Sequence, residues 1–264
     1  MKILYNLYPN GLKKALTVSY DDGREYDLRL LQILNQHGIK GSFHLNSSNL
    51  NKPGYLSSVE VTNEFCGHEI SAHTYSHPRM DLIPDTMAIE EIMKDRQELE
   101  MIVHYPVRGM SYPFGVYDER IINIVKSVGI EYSRTVSATY NFNLPKNFLE
   151  WHPTCHHNQI GDLWTKFKEV IPWNAPALFY LWGHSYEFEK DNTWSVIEDF
   201  CEKAGNHNDI WYATNIEICD YINAIRKLKY SAAHDMILNK SSVDIWLTIN
   251  DKEECIRAGE MYAL

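Results

Sequence analysis

The chain has 264 residues, of which 44% are hydrophobic and 12% aromatic, and its formal net charge at pH 7 is −10. This length can bury a sizeable core, and it suits one α/β barrel as well as two small domains. The acidic balance argues against a nucleic-acid partner and against an anionic membrane surface. The sequence also has no run of about 18 apolar residues that could form a membrane span.

The N-terminus and the cysteines bear on cellular location. The first eleven residues are too short and too polar for a signal peptide. The cysteines are odd in number and lack CxxC spacing, which is typical of free thiols in a reducing compartment. We therefore predict a cytoplasmic protein, although a chain trimmed of its signal would carry the same features. The five cysteines are Cys66, Cys155, Cys201, Cys219 and Cys255.

Strand-like and helix-like segments alternate along most of the chain. Seven or eight such alternations imply parallel strands and favour a closed or nearly closed barrel over an open sheet. The predicted strands are residues 15–20, 41–45, 69–72, 107–112, 130–136, 177–182 and 210–213, with a further one near Trp151. The predicted helices are residues 26–37, 58–66, 85–102, 118–128, 162–170, 193–204 and 215–228.

The pattern changes after Lys229. Residues 242–249 alternate apolar and polar side chains with a period of two, which indicates a half-buried strand. We therefore predict a barrel over residues 1–229 and a small β-rich appendage over residues 230–264, packed on the barrel.

The first predicted strand ends at two adjacent carboxylates, Asp21 and Asp22, followed by Gly23. Neighbouring like charges repel, so the pair is costly unless a cation, or a proton on one of them, relieves the repulsion. The alternative is a solvated turn in which Asp-Gly reverses the chain. This stretch alone does not decide between the two.

Histidines follow two other predicted strands. In a barrel, residues just past the C-terminal ends of the strands share one mouth, which would bring His73, His77 and His184 near the carboxylates. A lone H-x-x-x-H is more often a pair of surface histidines. The neighbouring carboxylates make a metal site of two histidines and one carboxylate the better interpretation. Three protein ligands leave positions open for water and substrate.

These residues resemble the polysaccharide deacetylase family, the NodB-homology domain of carbohydrate esterase family 4. The first family motif, T-F-D-D-G, is similar to residues 19–23, and the second, H-[ST]-x-x-H, is intact at residues 73–77. The histidine-bearing last motif resembles residues 181–184. The resemblance covers about residues 13–225. It implies a distorted (β/α)7–8 barrel and one divalent metal ion, usually zinc.

The resemblance also implies residue roles. It assigns the general base to Asp21 and the metal ligands to Asp22, His73 and His77. The chemistry is consistent, because a metal-bound carboxylate loses basicity whereas its free neighbour can take a proton from water. His184, across the mouth, is expected to protonate the departing amine.

Two family motifs are altered in this chain. The third, R-x-P-Y-G, is reduced to residues 113–115 and has Ser111 at the arginine position. Arg108, three residues earlier, is our candidate for the missing guanidinium, and the backbone N–H of Phe114 is the expected oxyanion donor. The fourth motif, D-x-x-D-W, is missing. His156 and His157 stand in its region and could contact substrate, replace the missing aspartate or be structural.

Several side chains near the expected mouth are candidates for sugar binding. Aromatic rings stack on sugars, although most tryptophans of a barrel this size belong to the core. The predicted substrate-binding residues are Tyr112, Trp151, His156, Trp182 and Glu187.

These observations predict a metal-dependent hydrolase that removes acetyl groups from an N-acetylated sugar or oligosaccharide. A small soluble carbohydrate is the expected partner. Two alternatives stay open: a related C–N hydrolase of a non-sugar amide or cyclic ureide, and a non-catalytic carbohydrate-binding protein on the same fold. The altered motifs favour the alternatives, whereas the intact base and ligand set disfavours the inactive one.

Overall fold

A sheet of parallel strands organises the chain in the computed structural model, which describes residues 2–264. The strands are β1 (Ile3–Leu4), β2 (Lys14–Asp21), β3 (Gly41–Leu45), β4 (Glu69–Ala72), β5 (Gly109–Ser111), β6 (Tyr132–Arg134), β7 (Cys155–His156), β8 (Ala177–Gly183), β9 (Ile210–Tyr212), β10 (Lys229–Tyr230), β11 (Met236–Leu238), β12 (Ile245–Ile249), β13 (Lys252–Ile256) and β14 (Met261–Ala263). The α-helices are α1 (Asp27–Gln36), α2 (Ser58–Glu64), α3 (Asp85–Val103), α4 (Glu119–Ser127), α5 (Leu163–Glu169), α6 (Ser185–Lys190), α7 (Trp194–Ala204) and α8 (Asn215–Arg226).

Strand β2 is the centre of this sheet. The strand order is β6-β5-β4-β3-β2-β8-β7, and β9 also pairs with β2. Strand β8 pairs with β2 along Lys14 to Tyr20. Strand β9 pairs with the first half of β2, and β3 pairs with its second half. All eight residues of β2 are buried. Such burial is typical of a parallel strand covered on both faces, and it carries Asp21 into the interior.

The segment around Trp151 connects one edge strand of the sheet, β6, with β8, the neighbour of the other edge strand, β7. The Trp151 N–H donates to the Ser133 carbonyl at 3.0 Å, and the Thr154 N–H donates to the Tyr180 carbonyl at 2.8 Å. The segment therefore bridges β6 and β8, and the sheet curls into the distorted barrel that the sequence predicts. Near Trp151 the predicted strand is reduced to a single bridge and the two residues of β7.

The predicted alternation of strands and helices is confirmed, with boundaries that differ by a few residues. One helix was missed. Helix α6 follows His184 directly and carries Glu187 into the mouth. Every helix within residues 2–264 is too short or too polar to cross a bilayer.

Two small antiparallel sheets, β1-β12-β13 and β10-β11-β14, account for the end of the chain. Strand β1 comes from the N-terminus, so the first residues belong to the same sheet as the C-terminal strands. Leu247 of β12 shares one buried cluster with Ile218 of α8 and Leu178 of β8. The C-terminal strands therefore pack against the barrel through a common core.

We predict that Leu247→Ala destabilises the whole chain. Leu247 is fully buried in the shared cluster, and a buried Leu→Ala change typically costs about 2–5 kcal/mol. Urea unfolding should show one transition at a lower midpoint. Met261→Ala on β14, where the side chain is 59% exposed, is the control and should change little. Two separate transitions, with only the smaller one moved by Leu247→Ala, would contradict a common core.

Candidate active site

Four strand ends bring polar side chains to one point. Asp21 is the last residue of β2, His73 follows β4, Ser111 ends β5 and Arg134 ends β6. Because the strands are parallel, their C-terminal ends open on the same mouth of the barrel. The side chains meet around Asp21, which is 2% exposed.

Asp21 is held by three partners. Its Oδ1 lies 3.1 Å from His44 Nδ1 and accepts a hydrogen bond from Ser111 Oγ at 3.1 Å. Its Oδ2 forms an ion pair with the Arg134 guanidinium. Burial raises the pKa of the Asp21 carboxyl, but the charge of Arg134, assisted by the hydrogen bond with His44, outweighs burial, and the pKa lies well below its usual value. Asp21 therefore stays ionised at neutral pH.

The arginine beside Asp21 is Arg134, and the prediction of Arg108 was wrong. Arg108 precedes β5 and so lies at the opposite end of that strand from the mouth. There it forms ion pairs with Asp220 at 2.7 Å and Glu131 at 3.1 Å. Arg134 is fully buried. The sequence did contain a signal for Arg134, because an arginine inside a predicted buried strand needs a buried counter-charge.

Trp182 supports Arg134. The indole is 7% exposed, and the Arg134 guanidinium carbon lies 4.2 Å from the ring centroid. A cation over an aromatic face is attracted by the ring quadrupole. The structure thus places Trp182 against the arginine, where its ring orients the partner of Asp21.

A second group lies beside Asp21, formed by Asp22, His73 and His77. Asp22 Oδ1 is 3.6 Å from His73 Nε2 and 3.8 Å from His77 Nε2. Ligands about 2.0–2.1 Å from a tetrahedral zinc ion are separated from one another by about 3.3–3.4 Å. The three side chains are therefore close to the spacing that a shared cation requires.

The loops that carry these side chains have unusual backbone conformations. Asp22 has φ 80° and His77 has φ 59°, both in the left-handed region. For residues other than glycine this region typically costs about 1–3 kcal/mol, and such strain clusters at functional sites. The histidines lie on an irregular loop, as the proline after His77 predicts.

His73 is oriented by hydrogen bonds on its far side. Its Nδ1 lies 2.9 Å from the Ser111 carbonyl, so Nδ1–H donates there and the Nε2 lone pair points toward Asp22. The His73 backbone N–H donates to buried Asp95 at 2.9 Å. Burial lowers the pKa of His73 to about 3, which keeps the ring neutral. A neutral imidazole with one free nitrogen is the form that binds a metal ion.

Asp22 is poorly balanced by the chain itself. Burial raises the pKa of its carboxyl, and the neighbouring charge of Asp21 raises it further; His184, His77 and Arg24 only partly compensate. A divalent cation between Asp22 and the two histidines would relieve this repulsion. The donor set of two imidazole nitrogens and one carboxylate oxygen fits zinc or a similar cation.

A third group surrounds Glu187 on the other side of the mouth. The Nε2 atoms of His156 and His157 each lie 3.1 Å from Glu187 Oε2, and His184 Nδ1 lies 3.2 Å from Oε1. The Asn158 N–H donates to His156 Nδ1 at 3.3 Å, so the His156 proton is on Nε2 and faces the carboxylate. The group gathers three imidazoles around one carboxylate, and the donor atoms of His156, His157 and Glu187 also lie close enough together to hold a cation.

The group around Glu187 sets the state of His184. Burial lowers the pKa of His184, but the Glu187 hydrogen bond and the charges of Asp21 and Asp22 outweigh it, and the pKa rises above its usual value. Burial alone would raise the pKa of Glu187, but its three histidine contacts hold it well below the usual range. Glu187 therefore remains an anion that faces His184.

Two predicted substrate-binding residues are corrected by their burial. Tyr112 and Trp151 are each 1% exposed. The Tyr112 hydroxyl donates to the Leu149 carbonyl at 2.8 Å, and Trp151 packs edge-on against Tyr132 and at a tilt against Tyr180. Both are core residues and cannot stack on a sugar. Their positions near strand ends suggested the mouth, but their side chains point into the core.

Phe114 lies at the mouth. Its ring centroid is 4.5 Å from that of His77, and its side chain is 57% exposed. The backbone there has φ 58° within a short turn, Pro113–Gly115. The use of its N–H as an oxyanion donor stays a prediction.

The chain is similar in sequence to known deacetylases. Residues 9–133 match the family model described as polysaccharide deacetylase. A peptidoglycan-N-acetylglucosamine deacetylase of Bacillus cereus is 30% identical over 106 residues, which are 39% of this chain and 37% of that protein. The chain matches less than two fifths of the length of each curated relative found.

Two solved structures share the fold. A candidate polysaccharide deacetylase from Mycobacterium smegmatis aligns with a TM-score of 0.64 and 14% identity, covering 83% of this chain and 93% of that chain. A mutant of a carbohydrate esterase family 4 pseudoenzyme from Bacillus anthracis, with restored enzymatic activity, aligns with a TM-score of 0.50 and 18% identity, covering 80% and 69%. At these identities the likeness concerns the fold alone.

We predict that Arg134→Gln destabilises the protein strongly at neutral pH. The change leaves Asp21 buried without its counter-charge, and breaking a buried pair typically costs about 3–5 kcal/mol. The pKa of Asp21 is lower in the folded wild type than in the unfolded chain. The ion pair therefore stabilises the folded state fully at pH values above the unfolded pKa of about 3.9, and less at lower pH. Urea unfolding at pH 7 and pH 4 should therefore show a loss that shrinks as Asp21 becomes protonated in the variant.

Arg108→Gln is the matched control. Its ion pairs are partly exposed to solvent, and such pairs contribute about 1 kcal/mol or less. Equal losses in the two variants, or a loss in Arg134→Gln that does not depend on pH, would contradict the central role of the Asp21–Arg134 pair.

Proposed function

We propose that this chain, whose residues 9–133 match the polysaccharide deacetylase family model, removes acetyl groups from an N-acetylated sugar. The observation that carries the proposal is the placement of ionised Asp21 directly beside the group of Asp22, His73 and His77. A free carboxylate next to three potential metal ligands is an arrangement that can support metal-assisted hydrolysis of an amide. The same reaction is supported by the name of a relative, the peptidoglycan-N-acetylglucosamine deacetylase of Bacillus cereus.

A divalent cation is part of the proposal, with zinc as the candidate. Asp22, His73 and His77 would hold it, since their donor atoms converge and His73 presents a free Nε2. When bound, such a cation polarises the amide carbonyl and lowers the pKa of a water molecule toward about 7.

Asp21 is proposed as the general base. It is ionised and held in position by His44, Ser111 and Arg134. The same contacts lower its basicity, so it accepts a proton from water only when that water has been acidified. This requirement couples proton transfer to the occupied site.

His184 is proposed as the general acid. Its Nδ1 is directed to Glu187, which leaves Nε2 for the substrate. Its raised pKa increases the share of the imidazolium form, and an imidazolium can protonate the amine that leaves. Glu187, three residues further along α6, would then do the work of the missing aspartate of the fourth motif. The Phe114 N–H would stabilise the developing oxyanion.

We propose a small soluble glycan as the substrate and the cytoplasm as the location. The unpatterned cysteines support a reducing compartment, and all five are free in the structure. A zinc-loaded protein that hydrolyses a simple amide or cyclic ureide but releases no acetate from sugars would favour the first alternative. A protein that binds sugars without turnover would favour the second.

We predict opposite behaviour of the two adjacent carboxylates. Asp21→Asn should lower kcat for acetate release from chito-oligosaccharides by about 10²–10⁴-fold, the usual contribution of a positioned base, and leave zinc content unchanged. Asp22→Asn should lower both activity and zinc content. Enzymatic acetate detection and elemental analysis of the same samples measure the two quantities.

Asp81→Asn, at a partly exposed aspartate paired with Arg79, is the control and should affect neither quantity. Loss of zinc in Asp21→Asn with zinc retained in Asp22→Asn would reverse the proposed roles. Wild-type zinc-loaded protein without any deacetylation would refute the function.

We predict that Glu187→Gln shifts the pH profile. Glu187 raises the pKa of His184, and His184 must be protonated to act as an acid. Removing the charge should therefore move the alkaline limb of kcat/KM to lower pH. The exposed change Asp191→Asn, on the residue that caps the end of α6, controls for the loss of one negative charge near this helix.

His184→Ala tests the same step with two substrates. An alkoxide leaves more readily than an amine, so the loss should be larger on an amide than on the matching ester. Equal losses on both, together with an unmoved alkaline limb in Glu187→Gln, would mean that His184 only shapes the pocket.

A further inference from the structure

Arg24 stands at the rim of the mouth. It follows Asp22 by two residues in the loop after β2 and is partly exposed. Its guanidinium carbon lies 4.4 Å from the ring centroid of Tyr55 and 5.8 Å from that of Tyr186. The Tyr186 ring lies 5.3 Å from the ring of His184. Arg24 is thus separated from the proposed general acid by one tyrosine ring.

Within residues 2–264, Arg24 forms no ion pair with a carboxylate, and its charge acts on Asp22 only from a distance. The sequence has nine arginines, and seven of them lie within 4.0 Å of a carboxylate. Arg24 does not, and across residues 2–264 its guanidinium donates no hydrogen bond to a protein acceptor. Its Nε is buried without a partner among these residues. In a chain with net charge −10, a guanidinium left without a carboxylate is unusual.

Stacking explains how Arg24 is held. The guanidinium carbon lies over the Tyr55 ring at a distance typical of a cation–π contact. Such a contact uses none of the guanidinium N–H donors, which match the two oxygens of a carboxylate or phosphate. Backbone pairing between Arg24 and Tyr55 fixes the two residues relative to each other. The arginine is therefore preorganised while its donors stay free.

We propose that Arg24 binds an oxyanion on the substrate, so that the preferred substrate is an N-acetylated sugar carrying a carboxylate or a phosphate. This inference rests on the proposed function, because it places the acetamido group at Asp21 and His184 and the anion at the rim. The nearby charge of Asp22 does not compete when a cation occupies its site. The proposal adds a substrate class that the residues at the reacting centre do not specify.

The test compares three sugars that share the acetamido group. N-acetylglucosamine is neutral, N-acetylmuramic acid carries a carboxylate, and N-acetylglucosamine 6-phosphate carries a phosphate. We expect the zinc-loaded wild type to prefer one or both anionic sugars, and the two arms identify which oxyanion is bound. Arg24→Gln should lower kcat/KM on the preferred anionic sugar by about ten- to a hundredfold, the usual weight of a hydrogen bond to a charged group. Its activity on the neutral sugar should change by less than about twofold.

Two further variants sharpen the test. Arg24→Lys keeps the charge without the planar fork and should retain only part of the preference. Arg29→Gln is the matched control, since Arg29 also stacks on an aromatic ring, that of Trp194 at 4.2 Å, but lies on α1 and pairs with Glu198. It removes the same charge and should leave the preference intact.

Failure of this proposal is distinguishable from failure of the deacetylase. If acetate is released and Arg24→Gln lowers all three activities equally, or if the wild type prefers the neutral sugar, the role of Arg24 is refuted while the function stands. If no sugar is deacetylated, calorimetry of the same three sugars with zinc-loaded protein tests whether Arg24 binds the anion. Tighter binding of an anionic sugar that is lost in Arg24→Gln and kept in Arg29→Gln supports the proposal, and equal binding overturns it.

Discussion

The adjacent negative charges of Asp21 and Asp22 are the constraint on which the rest of the site depends. They stand at the end of a strand that is buried along its whole length, where side-by-side carboxylates are costly without counter-charges. The chain supplies one for Asp21 in Arg134. For Asp22 the chain supplies only distant counter-charges, and the nearest partners of Asp22 are the nitrogens of His73 and His77. Asp22 is thus less well compensated than Asp21, and the proposed roles of the two carboxylates rest on this difference.

The core of the site was predictable because its residues are close in sequence to strand ends. Two carboxylates after one strand and a histidine pair after another needed only the geometry of a parallel barrel to be brought together. The arginine was not predictable from motif spacing. Arg108 lies on the expected strand but before it begins, whereas Arg134 ends the next strand and pairs in register with Ser111. Register between neighbouring strands decided which guanidinium reaches Asp21.

The remaining differences follow from contacts that sequence patterns do not record. Helix α6 has only six residues, too few for a helical period to show, yet it carries the carboxylate that faces His184. Strand β1 has two residues and exists through its pairing with β12, distant in sequence. Tyr112 and Trp151 lie near strand ends, as predicted, but their side chains point into the core rather than into the mouth. In each case a long-range contact, rather than local propensity, fixed the outcome.

A titration with Co²⁺ tests the central claim most directly, because cobalt accepts the same nitrogen and oxygen donors as zinc and absorbs visible light. The metal-free protein should bind one Co²⁺ per chain. The visible absorption should be lost in His77→Gln and preserved in His156→Gln, which alters the histidine group around Glu187 instead. Absorption preserved in His77→Gln and lost in His156→Gln would contradict the assignment of the cation to Asp22, His73 and His77.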